Sequence, residues 1–192
     1  MEKTLNPKLP ELNLYFIALL PPLEIRQNIT QLKEYARDTY GSQAALKSPP
    51  HITLQPPFKL LEANIPLLKQ RLTEFAGKTA PIEIELSGFA AFPPRVVFVD
   101  VVHTPGLMAV QPALTAYLKE TLGIEDDRSR HRQFHPHVTI AFRDLQRHQF
   151  KKLWADVRDR SLYYPFTVFD LTLLQHDGRR WNVEAEFPLS AS

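Results

Sequence analysis

Histidine and threonine stand two positions apart twice in this sequence, as His51-Ile52-Thr53-Leu54 and as His137-Val138-Thr139-Ile140. The copies are separated by 137 − 51 = 86 residues in a chain of 192. Residues i and i+2 of a strand share a face, so each motif would send an imidazole and a hydroxyl to one side and two aliphatic groups to the other. A neutral imidazole can take a proton from an attacking oxygen while a second, protonated one donates to a leaving oxygen. Threonine hydroxyls can meet the non-bridging oxygens of a phosphate, where negative charge grows in the transition state. Two such motifs facing one cleft suit phosphodiester chemistry without a metal. A single copy would say little, because a lone histidine on a strand is more often a core or surface residue. Repetition near half-chain spacing, in strands of matched character, carries the reading.

The surrounding segments are what must position these side chains. "LNLYFIALLPP" reads as a buried strand ended by Pro21 and Pro22, since proline cannot donate to a sheet ladder and disfavours helix before it. From Leu23 the pattern turns helical, with Leu23, Ile29, Leu32 and Ala36 on one face and Arg26, Lys33 and Arg37 left for water. Proline pairs at 49–50 and 56–57 bracket the first motif and are expected to keep its strand short, setting His51 in the cleft. Asn64 can cap a second helix, with Pro66 in its first turn and Leu67, Leu68, Leu72, Phe75 and Ala76 on its apolar side. "IEIELSGFAAF" alternates at period two and "RVVFVDVV" is β-branched throughout, which together read as a hairpin or two neighbouring strands. A third helix spans roughly residues 107–122, then come "HPHVTIAF" as a strand and "LQRHQFKKLWADVRD" as a fourth helix. "YPFTVFDLTLLQ" and "WNVEAEFPL" close the chain as two strands joined through Asp177-Gly178, a strong hairpin signal. The second half repeats the plan of the first, so the fold class is α+β, an imperfect duplication within one domain over residues 1–192.

Composition narrows the partners. The net charge of +2, from 23 basic and 21 acidic residues, gives no global cationic field for long nucleic acid, so a phosphate-bearing partner must be held locally. Arg130 and Arg132 in "RSRHR" are local candidates, although a short charge run is commonly a solvated loop. With no cysteine there is no disulfide, thiolate metal site or cysteine nucleophile. The first 13 residues lack the pattern of a signal peptide and the run "LYFIALL" is too short to span a bilayer, so a cytoplasmic protein is expected.

At the two motifs the chain resembles the 2H phosphoesterases, in particular their 2′-5′ RNA ligase-like and cyclic phosphodiesterase branch. "HITL" and "PHVTI" match the usual form of the two signature motifs, including the proline before the second histidine. The resemblance implies a bilobal, pseudo-two-fold fold with two antiparallel sheets flanked by helices around a central cleft. It also implies hydrolysis of an RNA-type 2′,3′-cyclic phosphate to a 2′-phosphate, or reversible joining of RNA ends through a 2′-5′ bond, with no metal or other cofactor. The implied partners are RNA ends or small cyclic-phosphate nucleotides, with no membrane, and a monomer is expected. Carried over by motif position, His51 and His137 are the acid and base, in an order left open, and Thr53 and Thr139 the phosphate ligands.

The sequence departs from the family in two places. Relatives often carry a basic residue directly after the second motif strand. Here Phe142 holds that place and Arg143 follows it, which on a regular strand would face the other way. The first motif runs into "QPPF", where Phe58 is a candidate to stack on a base, or else packs between lobes. His135 shares the alternation of His137 and Thr139, which could put a third imidazole at the cleft rim, but Pro136 interrupts regular pairing there and a bystander is expected. Two rival readings stay open: a non-catalytic module binding a nucleotide or RNA end on the same fold, and a metal-dependent hydrolase using His131, His135 and His137.

Overall fold

The computed structural model describes residues 12–125 and 133–191. Two four-stranded sheets, antiparallel throughout, make up the protein. In chain order the elements are β1 (Leu12–Leu19), α1 (Leu23–Tyr40), β2 (Ile52–Leu61), α2 (Ile65–Ala76), β3 (Ile82–Phe92) and β4 (Val96–Val101), followed by α3 (Pro105–Leu122), β5 (His137–Ala141), α4 (Arg147–Val157), β6 (Tyr163–Val168), β7 (Asp170–His176) and β8 (Trp181–Pro188). The first sheet runs β2-β1-β7-β8 and the second β5-β4-β3-β6.

The order β1-α1-β2-α2-β3 recurs as β4-α3-β5-α4-β7 with β6 inserted before the last strand, so the duplication is imperfect, and β3 and β7 each join the sheet of the other repeat. Strands joined by a tight turn pair with each other. β3 must therefore stay beside β4, as β7 stays beside β8 across Asp177-Gly178. In that last turn the Asp177 carboxylate accepts the backbone N–H groups of Arg179 (2.8 Å) and Arg180 (2.7 Å), and Gly178 takes φ 93°. The segment read as a single strand, "YPFTVFDLTLLQ", is split between the sheets at Phe169, which is exposed.

The consequence for function is that β2 and β5, the strands carrying the two motifs, are the edge strands of their sheets and approach one another. The crossover helices hold them there: α1 packs on β5, and α3 packs on β2. Both helices end where the sequence allows a left-handed cap, at Gly41 (φ 76°) and Gly123 (φ 65°). The core is formed by Tyr15, Ile17 and Leu19 of β1, Val97, Val99 and Val101 of β4, and helix stripes such as Leu68, Leu72 and Ala76.

The proline pair at 56–57 does not end the first motif strand, which continues to Leu61. In the β1–β2 register Tyr15 faces Phe58 and Ile17 faces Gln55, so Pro56 and Pro57 together oppose Phe16 in a β-bulge. An edge strand at a bulge is where a residue without an N–H costs the ladder least. Among the described residues no helix is long and apolar enough to cross a membrane.

Candidate active site

Each motif histidine is fixed by the same device. His51, the residue before β2, and His137, the first residue of β5, are both half-buried. Nδ1 of His51 lies 2.7 Å from the Pro49 carbonyl oxygen, and Nδ1 of His137 lies 2.7 Å from the His135 carbonyl oxygen. A carbonyl only accepts, so Nδ1 carries the proton in both rings and Nε2 is the atom left to gain or lose one. An aromatic ring from the neighbouring strand packs on each imidazole: Phe16 of β1 on His51 (4.7 Å between centroids) and Phe98 of β4 on His137 (5.0 Å).

Thr53 pairs with Ala18 and Thr139 with Phe98 in the ladders, and neither threonine hydroxyl is hydrogen-bonded to a described residue. The site thus presents two oriented imidazole edges and two unengaged hydroxyls. A cleft of about 1060 Å³ opens beside them, with Thr53, His137, Gln55, Gln111, Phe92 and Phe134 on its walls. His51 and Thr139 are not among the residues lining that volume.

The electrostatic settings of the two histidines differ. Burial pushes His51 down to about 4, against the opposing pull of its bond to Pro49, and the charges of Lys33 and His137 push the same way as burial. His137 is also lowered by burial and by the charge of His135, while its bond to the His135 carbonyl and the Asp100 carboxylate oppose the shift. That His137 acts on His51 through its charge puts the two rings in electrostatic reach of each other.

Lys33 corrects the reading of α1, which had left it for water. It is 2% exposed, and its ammonium donates 3.0 Å bonds to the carbonyls of Ala45 and Ser48. Burial brings it down to about 7. Those carbonyls belong to the segment leading to Pro49, so Lys33 ties down the backbone that orients His51. A second tie crosses between the motifs: Asp144, just beyond β5, accepts from the Ser42 hydroxyl (2.8 Å) and the N–H groups of Gln43 (3.0 Å) and Ala44 (2.9 Å).

The other sequence candidates fare unevenly. Phe58 is buried in the core against Tyr15, with ring centroids 6.3 Å apart, and presents no face to a base. Phe134 and Phe92 do line the cleft, and Phe92 is 38% exposed and 5.3 Å from the His137 ring. Arg143 is exposed, stands beyond the end of β5 at φ 60°, and lies over the Phe142 ring, so the strand-alternation argument does not apply to it and it does not line the cleft. Arg130, Arg132 and His131 lie outside the described residues. His135 does more than stand by: it lines the cleft, its carbonyl orients His137, and its Nε2 is 3.9 Å from Asp100. Tyr15 fills the core, and Trp181 packs on Phe16 in a small apolar cluster on the face of the first sheet that carries His51. Among the described residues no three His, Cys, Asp or Glu side chains converge as a metal site requires.

Fold and site together define a two-lobed protein whose sheet edges, β2 and β5, approach one another, each with one H-x-T motif. The model of the 2′-5′ RNA ligase superfamily matches residues 21–180, and the chain belongs to that family, the 2H phosphoesterases. A Geobacillus sp. (strain WCH70) protein carrying a provisional phosphoesterase name is 29% identical over 176 residues, covering 90% of this chain and 94% of its own. Among solved structures, Escherichia coli LigT complexed with 3′-AMP superposes with a TM-score of 0.67 at 21% identity, over 93% of this chain and 99% of its own. The same protein complexed with ATP gives a TM-score of 0.63 at 20% identity, over 94% and 99%.

Proposed function

We propose that this chain is a metal-independent phosphodiesterase acting on 2′,3′-cyclic phosphates or 2′-5′ linkages of RNA ends and nucleotides, with His51 and His137 as its acid–base pair. The observation that carries the reading is the matched pair of Nδ1-anchored imidazoles, each beside a threonine hydroxyl with no hydrogen-bond partner among the described residues. A nucleotide-sized occupant is supported by the nucleotides held by the Escherichia coli relative.

For a cyclic phosphate the step balances as follows. A water oxygen attacks phosphorus while Nε2 of one imidazole takes its proton. The P–O3′ bond breaks as Nε2–H of the other protonates the departing O3′, leaving a 2′-phosphate. The Thr53 and Thr139 hydroxyls donate to the non-bridging oxygens, where charge accumulates. Lys33 disfavours a positive charge on His51, which suits that ring as the base and leaves His137, where the Asp100 carboxylate partly offsets the repulsion of His135, as the acid.

A pH profile tests the assignment of the two titrations to these rings. In the free enzyme kcat/KM rises as His51 gives up its proton near pH 4 and falls as His137 loses its own, below the ordinary histidine range, so the maximum lies on the acid side of neutrality. A bound phosphate anion favours both imidazoliums, so the kcat profile moves to higher pH than that of kcat/KM. Lys33→Met removes the repelling charge and moves the acidic limb upward. An acidic limb unmoved in Lys33→Met, or a maximum above pH 7 for kcat/KM, contradicts the assignment.

A further inference from the structure

Gln55 is 1% exposed, lies on the wall of the cleft, and its side-chain Nε2 has no hydrogen-bond partner. A buried amide N–H left unpaired is rare in folded proteins and works against stability, so its retention on a cleft wall points to an acceptor that arrives with a ligand. Other polar groups nearby are already committed: Nε2 of Gln111 donates to the Leu54 carbonyl at 3.3 Å, and the Thr115 hydroxyl turns back to the carbonyls of Gln111 and Pro112.

The location specifies the ligand. Gln55 follows Thr53 by two residues on β2, about 7 Å along the strand from the hydroxyl assigned to phosphate. That is the span from a ribose phosphate to the edge of its base. The walls around this point are the exposed ring of Phe92, Phe134 and Pro56. Flat apolar surfaces with one convergent polar group suit a planar heteroaromatic ring.

We propose that Gln55 is a specificity-determining residue: its amide hydrogen-bonds an acceptor on the edge of a nucleobase, so the substrates are base-bearing nucleotide esters and not small base-free cyclic phosphates. The inference rests on the phosphodiester reading of the cleft. The amide is a side-chain group on the strand that carries Thr53, so base and phosphate are gripped by one element.

The test compares wild type, Gln55→Leu and Gln55→Glu on adenosine and uridine 2′,3′-cyclic phosphates and on the base-free methyl riboside 2′,3′-cyclic phosphate. Calorimetric binding of adenosine 2′-monophosphate and methyl riboside 2′-phosphate runs in parallel. Both variants are expected to raise KM and Kd about 10- to 100-fold for the base-bearing compounds, with kcat within about twofold and the base-free compounds unaffected. The melting temperature of Gln55→Leu equals or exceeds that of wild type, since an orphaned polar group is removed. Equal losses on base-bearing and base-free compounds, or no loss on either, overturns the inference. If wild type turns over none of the esters, the phosphodiesterase reading fails while the calorimetry still decides Gln55: it fails too if wild type binds the nucleotide no tighter than the base-free phosphate.

Discussion

His51→Ala and His137→Ala each lower kcat on a nucleoside 2′,3′-cyclic phosphate by about 10²- to 10⁴-fold, the range that a positioned general acid or base contributes. The double variant falls well short of the product of the two, because an acid and a base acting on one displacement work as a unit. The loss belongs in kcat: KM changes little, since each ring's Nε2 meets its proton only as charge moves. The fold survives, because each ring makes a single hydrogen bond, to a local backbone carbonyl two residues away. Steady-state kinetics with a thermal melt on the same samples check both halves. A variant that melts like wild type and keeps its kcat removes that histidine from the chemistry.

Thr53→Val and Thr139→Val are the second test. Valine has the shape of threonine and suits a strand, and neither hydroxyl has a partner to lose among the described residues, so stability is unchanged or improves. If the hydroxyls serve the phosphate as its charge builds, each substitution costs about 10²- to 10³-fold in kcat. The effect is read against the melting temperature: a fall in kcat without a fall in Tm separates a transition-state donor from a structural hydroxyl. Unchanged kcat in both variants would leave the phosphate oxygens to other donors.

Features with a strong local period were the most legible in the sequence. The alternation of β3, the Asp-Gly turn before β8 and the apolar stripe of α3 form as their patterns require, and that of α2 does so through Leu68, Leu72 and Ala76 while Leu67 is left exposed. The two H-x-T motifs were legible because repetition is visible in a single chain. Less legible was anything fixed by tertiary partners. Lys33 occupies the stripe of Ile29 and Ala36, and that spacing signalled burial, but its charge outweighed the pattern until the carbonyls of Ala45 and Ser48 supplied its partners. Pro56 and Pro57 were read as strand breakers because an edge bulge depends on the register of β1. Phe58 packs in the core and Phe92 meets the cleft for the same reason: which aromatic reaches it is decided by the pairing of β2 with β1 and the approach of the two sheets, not by proximity to a motif in sequence. The exchange of third strands between the repeats had no local signal, since each half of the chain reads the same whichever sheet its last strand joins.

The central claim is that an imidazole pair opens a phosphodiester without a metal. It is tested most directly by following a nucleoside 2′,3′-cyclic phosphate by ³¹P NMR in EDTA, with wild type and with the His51→Ala/His137→Ala double variant. The account predicts that wild type converts the cyclic signal to the 2′-phosphate at the same rate with and without chelator, and that the double variant leaves it intact. Turnover undiminished in the double variant, turnover lost to EDTA, or nucleotide binding by wild type with no turnover across cyclic and 2′-5′-linked substrates would contradict it.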